Sequence, residues 1–328
     1  MKKLLTLALA LAMVCVCALA AAEMGPTLNF KLAENQPDGN PITEGMKMFA
    51  ELANKYTEGT VTIDVYSNGA LCDEASSMDQ LQLGSLDFSR VNTNSMASTI
   101  DEFGVFGMPY LFASTEQKYK ALDGEAGEYA MGLLDDYGMV GLYFWEAGAR
   151  CFYTTSKPIR SVEDLKGMKI RVPQSDLYIK MVEAWGASAT PMNINELYMA
   201  LQTGTVDGQD NPLPTVQSAK FYEVQKSISL TNHLVDSVWP TINLNTWNKL
   251  TDTQKGWVME AVEAGREACD SQNLKTESEV QDFLKEQGLS IYEADVAAFA
   301  DHVLNTYLND PISDSWDKDL LEQIKAMA

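Results

Sequence analysis

One arginine of this chain has the chemistry and the sequence position to bind a carboxylate. Arg171 lies in the short run Lys169–Val172, which is typical of a strand and is stopped by Pro173. A planar guanidinium donates two parallel hydrogen bonds to a carboxylate, and open α/β sheets bind ligands at the carboxyl ends of their strands. Arg171 is therefore a candidate for binding an organic anion. A structural salt bridge is the alternative that residue type alone favours.

Motifs for enzymatic chemistry are nearly absent. None of the patterns HExxH, GxSxG, GxGxxG and GxxxxGK[ST] occurs in the chain. Carboxylates are abundant, but no pair of them is nominated for acid–base catalysis without geometry. His233 and His302 are predicted to be structural hydrogen-bonding residues. The sequence thus favours a binding protein over an enzyme, and it predicts no catalytic residue, no metal site and no cofactor.

Strands and helices are predicted to alternate along the chain. The predicted strands are at 27–32, 61–66, 139–145 and 169–172, and the predicted helices are at 42–56, 74–83, 114–137, 175–185, from Asn193 and from Thr251 onward. This alternation indicates an α/β architecture with mostly parallel sheets. The length predicts about two domains. Because no low-complexity linker separates them, several strands or a shared helix are expected to join them.

The start and the charge of the chain indicate an exported acidic protein. Lys2 and Lys3 precede an apolar run and small Ala-x-Ala sites, so residues 1–22 are predicted to be a cleaved signal peptide. The run is short for a membrane span, and no permanent membrane anchor is expected. The net charge of -22 becomes 22 − 46 = -24 without the two lysines. Such acidity argues against nucleic acid and anionic lipid as partners. The three remaining cysteines are widely spaced and predict no disulfide framework.

Four segments resemble the motifs of one receptor family. They are DLKGMKIRVP at 164–173, the ATPMN…ELYMALQTG run at 189–204, VDGQDNP at 206–212 and KFYEVQK at 220–226. Their order and spacing are similar to those of the DctP family, the solute-binding proteins of tripartite ATP-independent periplasmic (TRAP) transporters. The segments 86–95 and 108–112 resemble the family more loosely. The resemblance covers nearly all of the mature chain and implies a two-lobed α/β periplasmic-binding-protein fold, type II-like, with a long hinge-spanning helix.

The resemblance implies ligand-binding roles for three residues. In the family, the arginine of the KIRVP motif pairs with the ligand carboxylate, and that position here is Arg171. Arg150 falls where many members place a second ligand-binding arginine, and a surface ion pair is the alternative. Asn211 matches an asparagine that contacts both ligand and arginine, because an amide accepts from a guanidinium and donates to a carboxylate. A turn asparagine before Pro212 is the alternative there.

Register with the sialic-acid receptors of the family predicts that Asn35, Asp73, Glu74 and Asn92 line the first lobe of the site. Further candidate ligand-binding residues are Trp145, Glu146, Asn193 and Trp239, the last of which could stack on a sugar face. Asn92 replaces a glutamate of those receptors, and residues 145–146 replace smaller or differently polar groups, which disfavours sialic acid itself. Three alternatives stay open: Asn35 as a turn former, Asn193 as a helix cap and Trp239 as a core residue of the hinge.

The predicted ligand is a small hydroxylated acid. Micromolar binding requires about 8 kcal/mol, whereas a charge-assisted hydrogen bond contributes roughly 1.5–3 kcal/mol. Arg171 therefore needs further polar partners and the exclusion of water by lobe closure. Asn, Asp and Glu side chains suit ligand hydroxyls, so a sugar acid of the uronate or aldonate type is expected ahead of a C4-dicarboxylate or a sialic acid.

The resemblance implies a periplasmic receptor that delivers its ligand to the membrane permease of a TRAP transporter. An exported enzyme acting on a sugar acid and a chemosensory receptor are the alternatives. A monomer is expected, since one small solute requires no dimer. The predicted lobe 1 comprises about 23–147 plus 236–275, and lobe 2 about 148–235 plus 276–328.

Overall fold

A ten-stranded mixed sheet runs through the fold in the computed structural model, which describes residues 25–327. The strands are β1 (Leu28–Ala33), β2 (Val61–Tyr66), β3 (Phe88–Asn92), β4 (Met139–Gly141), β5 (Trp145–Thr154), β6 (Lys169–Val172), β7 (Ser188–Pro191), β8 (Gly208–Pro212), β9 (Ser227–Asn243) and β10 (Ser290–Glu293). Their order across the sheet is β2-β1-β3-β9-β5-β8-β6-β7, and both β4 and β10 pair with β9.

Helices connect most of the strands. The α-helices are α1 (Pro41–Tyr56), α2 (Glu74–Leu83), α3 (Thr93–Met96), α4 (Thr115–Leu122), α5 (Glu125–Asp136), α6 (Asp176–Ala184), α7 (Ile194–Gln202), α8 (Leu213–Ser218), α9 (Leu244–Trp247), α10 (Asp252–Glu286), α11 (Val296–Leu308) and α12 (Lys318–Lys325). Short 3₁₀ helices cover Asp101–Gly107, Val162–Leu165, Phe221–Glu223 and Pro311–Ser313. The α/β class predicted from the sequence is confirmed.

The centre of the sheet is antiparallel, so the prediction of mostly parallel sheets is wrong there. β1, β2 and β3 pair in parallel on one flank, and β6, β7 and β8 do so on the other. Between them, β5 and β9 pair antiparallel with each other, β9 also pairs antiparallel with β3, and β5 with β8. The sequence of β9 hides this strand, because polar residues and Pro240 interrupt its apolar alternation although nearly all of it is buried.

Three elements join the two halves of the sheet. β9 pairs with β3 on one flank, β5 pairs with β8 on the other, and β5 and β9 pair with each other. The 35-residue helix α10 packs against both α1 and α8. Thr251 and Gln254 start α10 with a capping box, as predicted. The expectation of several connecting strands or a shared helix is confirmed. The predicted lobe boundaries at 147/148 and 235/236 face each other where Gly148 pairs with Asp236 after a bulge, and the division into lobes stays a prediction.

Two predicted elements are divided in the structure. The helical stretch 114–137 forms α4 and α5, because the chain turns so tightly after α4 that a Cβ at Gly127 would lie 1.9 Å from the Leu122 carbonyl oxygen. The strand predicted at 139–145 is β4 followed by the start of β5, with Tyr143 in the left-handed region at φ 94° between them. Strands 61–66 and 169–172 and helix 74–83 have the predicted bounds.

The predicted signal peptide, 1–22, lies outside the described residues. Within residues 25–327, no helix is both long enough and apolar enough to cross a bilayer. Cys72, Cys151 and Cys269 are free thiols.

Helices α1 and α10 approach each other closely through two glycines. A Cβ added at Gly265 would lie 2.8 Å from the Gly45 carbonyl oxygen and 2.9 Å from the Trp145 ring. The Trp145 indole is fully buried and fills the space beside this contact. Because backbone rather than a flexible side chain blocks the position, α10 cannot give way without moving away from α1.

We expect Gly265→Ala to destabilise the protein by about 1–3 kcal/mol, since the methyl group overpacks the helix contact. The matched control is Gly256→Ala in the same helix, where a Cβ has no atom within 4 Å. That change is expected to stabilise by about 0.5–1 kcal/mol through helix propensity. Urea unfolding measures both free energies. Shifts of the same sign and size would contradict the close approach of the two helices.

Candidate ligand-binding site

A cavity of about 650 Å³, measured with its open mouth, lies between the two halves of the fold. Its wall is built by residues at or just after the carboxyl ends of β1, β3, β6, β7 and β8. Parallel strands place such residues at one edge of the sheet, which is the usual place for a ligand in an open α/β architecture. The antiparallel strands β5 and β9 add Arg150 and Asp236 to the same wall.

Eight of the eleven predicted ligand-binding residues line this cavity. They are Asn35, Asp73, Glu74, Asn92, Arg150, Arg171, Asn193 and Asn211. The structure therefore brings together residues that lie up to 176 positions apart in the chain (211 − 35). Their contact with a ligand stays a prediction.

Arg171 is a buried cation without a carboxylate partner among the described residues. Its side chain is 3% exposed, and its Nε and Nη2 both donate to the Met192 carbonyl oxygen, at 3.1 and 2.7 Å. Burial lowers the pKa of Arg171 to about 10, so the guanidinium stays protonated at neutral pH. The carbonyl oxygen fixes one edge of the planar group, and Nη1 has no hydrogen-bond acceptor among the described residues.

Arg150 is fully engaged inside the protein. Nε donates to Asp210 Oδ2 at 2.7 Å, Nη1 to Asp236 Oδ2 at 3.1 Å and Nη2 to the Asp210 carbonyl oxygen at 2.7 Å. The guanidinium carbon lies 4.8 Å from the centre of the Tyr178 ring. Burial raises the pKa of the Asp210 carboxyl, but the charge of Arg150 and the hydrogen bonds from His233 and Arg150 together outweigh burial and hold that pKa well below its usual range. The charge of Arg150 is thus already neutralised.

A third cavity arginine, Arg90, was missed by the sequence analysis. Its Nε and Nη2 donate to the two carboxylate oxygens of Glu34, its Nη1 donates to Glu74 Oε1 at 3.2 Å, and Nη2 also contacts Asn35 Oδ1. Arg90 lies in the loosely matching segment 86–95, and Glu34 directly follows β1. The signal that could have identified Arg90 and Glu34 is their position near the carboxyl ends of predicted strands.

The side-chain amides of the wall are held by hydrogen bonds. Asn92 Nδ2 donates to Asp236 Oδ2 at 2.6 Å, and its Oδ1 accepts from the Tyr178 hydroxyl at 2.9 Å. Asn35 Nδ2 donates to Glu74 Oε2 at 2.9 Å. Asn211 Nδ2 donates to the Gln209 side-chain oxygen at 2.5 Å. These contacts pre-organise the donors and acceptors around the cavity.

Two predicted residues cap helices at the cavity and meet across it. Asp73 caps α2 by accepting from the Ser76 N–H at 2.7 Å, and Asn193 caps α7 by accepting from the Asn195 N–H at 3.0 Å. Hydrogen bonds from Ser76 and, more weakly, from the Asn193 side chain lower the pKa of Asp73, against the effect of burial. The capping alternative for Asn193 is therefore confirmed, although the residue also lines the cavity.

The two tryptophans that the sequence analysis placed in the cleft do not line the cavity, which corrects those predictions. Trp145 is buried at the α1–α10 contact. Trp239 lies in an aromatic cluster with Phe103 and Phe144, and its indole N–H donates to Thr93 Oγ1 at 3.0 Å. Both rings fill core between elements, so the core alternative is the observed one for Trp239.

Glu146 also lies outside the ligand cavity, which is a further correction. Its carboxylate pairs with the fully buried Lys118 at 2.8 Å and accepts from the Gly148 N–H at 2.8 Å. Lys118 donates to the Asp236 carbonyl oxygen at 2.7 Å as well. Lys118 therefore connects β5 and β9 where they pass from one half of the sheet to the other, and Glu146 serves that connection.

The histidines make hydrogen bonds within the fold. His233 is fully buried, with Nδ1 2.9 Å from Thr231 Oγ1 and Nε2 3.2 Å from Asp210 Oδ2. His302 Nε2 lies 2.7 Å from the Ala184 carbonyl oxygen. Neither ring lines the cavity, which agrees with the predicted structural role.

Comparison with known proteins identifies what this arrangement is similar to. The family model for DctP, "bacterial extracellular solute-binding protein, family 7", matches residues 32–309. The sialic acid-binding periplasmic protein SiaP of Vibrio cholerae is 32% identical over 290 residues, 88% of this chain and 90% of that protein. The 2,3-diketo-L-gulonate-binding periplasmic protein YiaO of Escherichia coli is 30% identical over 283 residues, 85% of each.

Solved structures give the same result. A TRAP periplasmic solute binding protein from Sulfitobacter sp. NAS-14.1, with bound β-D-galacturonate, superposes with a TM-score of 0.86 at 29% identity, covering 92% of this chain and 99% of that one. The sugar acid binding protein DctPAm of Advenella mimigardefordensis, in complex with galactonate, has a TM-score of 0.87 at 28% identity, with 92% and 98% covered. These neighbours confirm the predicted two-lobed fold, and this chain belongs to the DctP family of bacterial extracellular solute-binding proteins.

Proposed function

We propose that this protein captures a hydroxylated sugar acid of the uronate or aldonate type and delivers it to the membrane permease of a TRAP transporter. One observation carries the proposal: Arg171 is a buried cation without a carboxylate partner among the described residues, and it faces a cavity lined by hydrogen-bonding side chains. Similar proteins of known structure support the proposed ligand class, since three of them were solved with bound galacturonate, glucuronate and galactonate.

The ligand carboxylate binds the free edge of the Arg171 guanidinium. Nη1 and the remaining N–H of Nη2 form a fork that matches a carboxylate, while Met192 keeps the group in plane. The ion pair between Arg171 and the ligand carboxylate forms inside a low-dielectric cavity, so it is stronger than the same pair would be at the protein surface. The hydroxyl groups of the sugar acid then hydrogen-bond to the amides and carboxylates of the opposite wall.

Closure of the two halves excludes water from the bound acid. In the structure they already touch, since Asn40 Nδ2 donates to Ser218 Oγ and Asn195 Nδ2 to the Asn68 carbonyl oxygen, both at 3.2 Å. Deeper in the cleft, Ser175 Oγ donates to the Asn94 carbonyl oxygen at 2.6 Å. A ligand that contacts both halves favours this closed arrangement by its differential affinity.

The proposed role is binding in the periplasm, without catalysis. The signal peptide predicted at residues 1–22 would direct export, and a single small ligand requires no dimer. His233 is held by hydrogen bonds on both ring nitrogens and does not line the cavity, so it does not supply a general base there. Delivery to a permease needs release of an unchanged ligand, which this arrangement allows.

We expect Arg171→Lys to weaken sugar-acid binding about 100-fold, because an ammonium does not replace the bidentate fork. Isothermal titration with D-galacturonate, D-glucuronate and D-galactonate measures the change for whichever acids bind the unaltered protein. The control is Arg160→Lys, an exposed arginine stacked on Tyr292 at 4.5 Å, which is expected to bind normally. Undiminished binding by the Arg171 variant would contradict the assignment of this arginine.

Replacing the two arginines by methionine is expected to change stability in opposite directions. Arg171→Met removes a buried charge that lacks a carboxylate partner, and should stabilise the ligand-free protein by about 1 kcal/mol. Arg150→Met leaves Asp210 and Asp236 without their cation and should destabilise it by about 3–5 kcal/mol. Thermal unfolding without ligand measures both. If Arg171→Met destabilises as strongly as Arg150→Met, the guanidinium has an internal structural role instead.

A further inference from the structure

Of the three arginines that line the cavity, only Arg171 has no carboxylate partner among the described residues. Arg90 makes a paired contact with both oxygens of Glu34 and a further one with Glu74. Arg150 has an acceptor on each of its three nitrogens, two of them on the carboxylates of Asp210 and Asp236. Only the guanidinium of Arg171 lacks an ion-pair partner within the described part of the wall.

Besides the three arginines, the charged groups of the wall are carboxylates, two of which are the ion-pair partners of Arg90 and Arg150. Glu74, Asp236 and Asp73 all line the cavity. The N-terminus of α2 offers no free positive end, because Asp73 already caps it. A hydroxyl group of a ligand can donate a hydrogen bond to these carboxylates, whereas a second ligand carboxylate has no proton to donate and meets like charge.

We propose that the cavity accepts one carboxylate per ligand, at Arg171, and rejects a second one. This inference rests on the proposed function and narrows it to monocarboxylic sugar acids. Aldaric acids, which carry a carboxylate at both ends, and C4-dicarboxylates are then excluded, although a relative from Rhodobacter capsulatus is named for C4-dicarboxylate binding. Glu74 is the residue that determines this specificity.

The position of Glu74 supports that assignment. Both of its carboxylate oxygens are held, Oε1 by the Asn92 N–H at 2.5 Å and by Arg90, and Oε2 by Asn35 Nδ2 at 2.9 Å. The group therefore has a fixed orientation and cannot swing away from an incoming anion. Arg90 cannot switch to the ligand, because it keeps its bidentate pair with Glu34.

The first test compares acids that differ only at one terminal carbon. D-Galactonate and galactarate share their chain hydroxyl groups, but galactarate has a carboxylate at the end where galactonate has CH₂OH. The corresponding gluco and manno pairs extend the comparison to two further stereochemistries. Burial raises the pKa of Glu74, so the titrations are run at about pH 8 to keep its carboxylate ionised. In at least one pair we expect the aldonate to bind, with the aldarate about 100-fold weaker or worse.

The second test uses Glu74→Gln, whose amide can donate a hydrogen bond to a second carboxylate. Because Glu34 still pairs with Arg90, this variant keeps the buried cation satisfied. We expect the ratio of aldonate to aldarate affinity to fall at least about tenfold. The matched control is Glu128→Gln, an exposed residue that changes the net charge equally and should leave the ratio unaltered.

The outcomes separate this inference from the proposed function. An aldarate or succinate that binds the unaltered protein within tenfold of the best monocarboxylate overturns the one-carboxylate rule and leaves the receptor role standing. An unchanged ratio in a folded Glu74→Gln variant overturns the role of Glu74. Should that variant fail to fold, the aldonate–aldarate comparison on the unaltered protein still decides the rule. Binding of none of the acids, uronates included, overturns the proposed function and this inference with it.

Discussion

An arginine buried beside a carbonyl oxygen, with no carboxylate among the described residues to balance it, is the constraint on which the site depends. Removing a guanidinium from water costs several kcal/mol unless an opposite charge compensates it, and the Met192 oxygen supplies only partial charge. Arg90 and Arg150, in the same wall, are compensated by their own carboxylates. This contrast is the ground for our proposal that a ligand carboxylate is the partner of Arg171.

The sheet explains how such a group can be held in place. Arg171 lies on β6, which is paired on both sides by β7 and β8, so its backbone is fixed by ladders rather than by a loop. β5 and β9 cross between the halves and carry Arg150 and Asp236 into the same wall. Lys118 contacts both strands, through the Glu146 carboxylate on β5 and the Asp236 carbonyl oxygen on β9. Rigid placement on strands, with joining elements between the halves, suits a receptor that must close around a ligand without rearranging its wall.

Much of this could be predicted from the sequence, and the failures have physical causes. Local patterns gave the bounds of β2, β6 and α2, because their periodicity and caps are contained in the segments themselves. The central strand β9 was missed, since polar residues and Pro240 interrupt the apolar alternation that marks a strand. Family motifs pointed to Arg171 and Asn211, which line the cavity. Trp145 and Trp239 lie outside it, because an aromatic residue near a cleft in sequence packs equally well into the core beside it. Arg90 was passed over because pairing over 56 residues with Glu34 leaves no local signal.

A crystal structure of the protein with a bound sugar acid such as D-galacturonate tests the central claim most directly. The account predicts that both carboxylate oxygens lie within about 3 Å of Nη1 and Nη2 of Arg171, with the sugar hydroxyls turned toward Glu74 and Asp236. A ligand whose carboxylate lies against Arg90 or Arg150, while Arg171 still contacts only the Met192 oxygen, would contradict it.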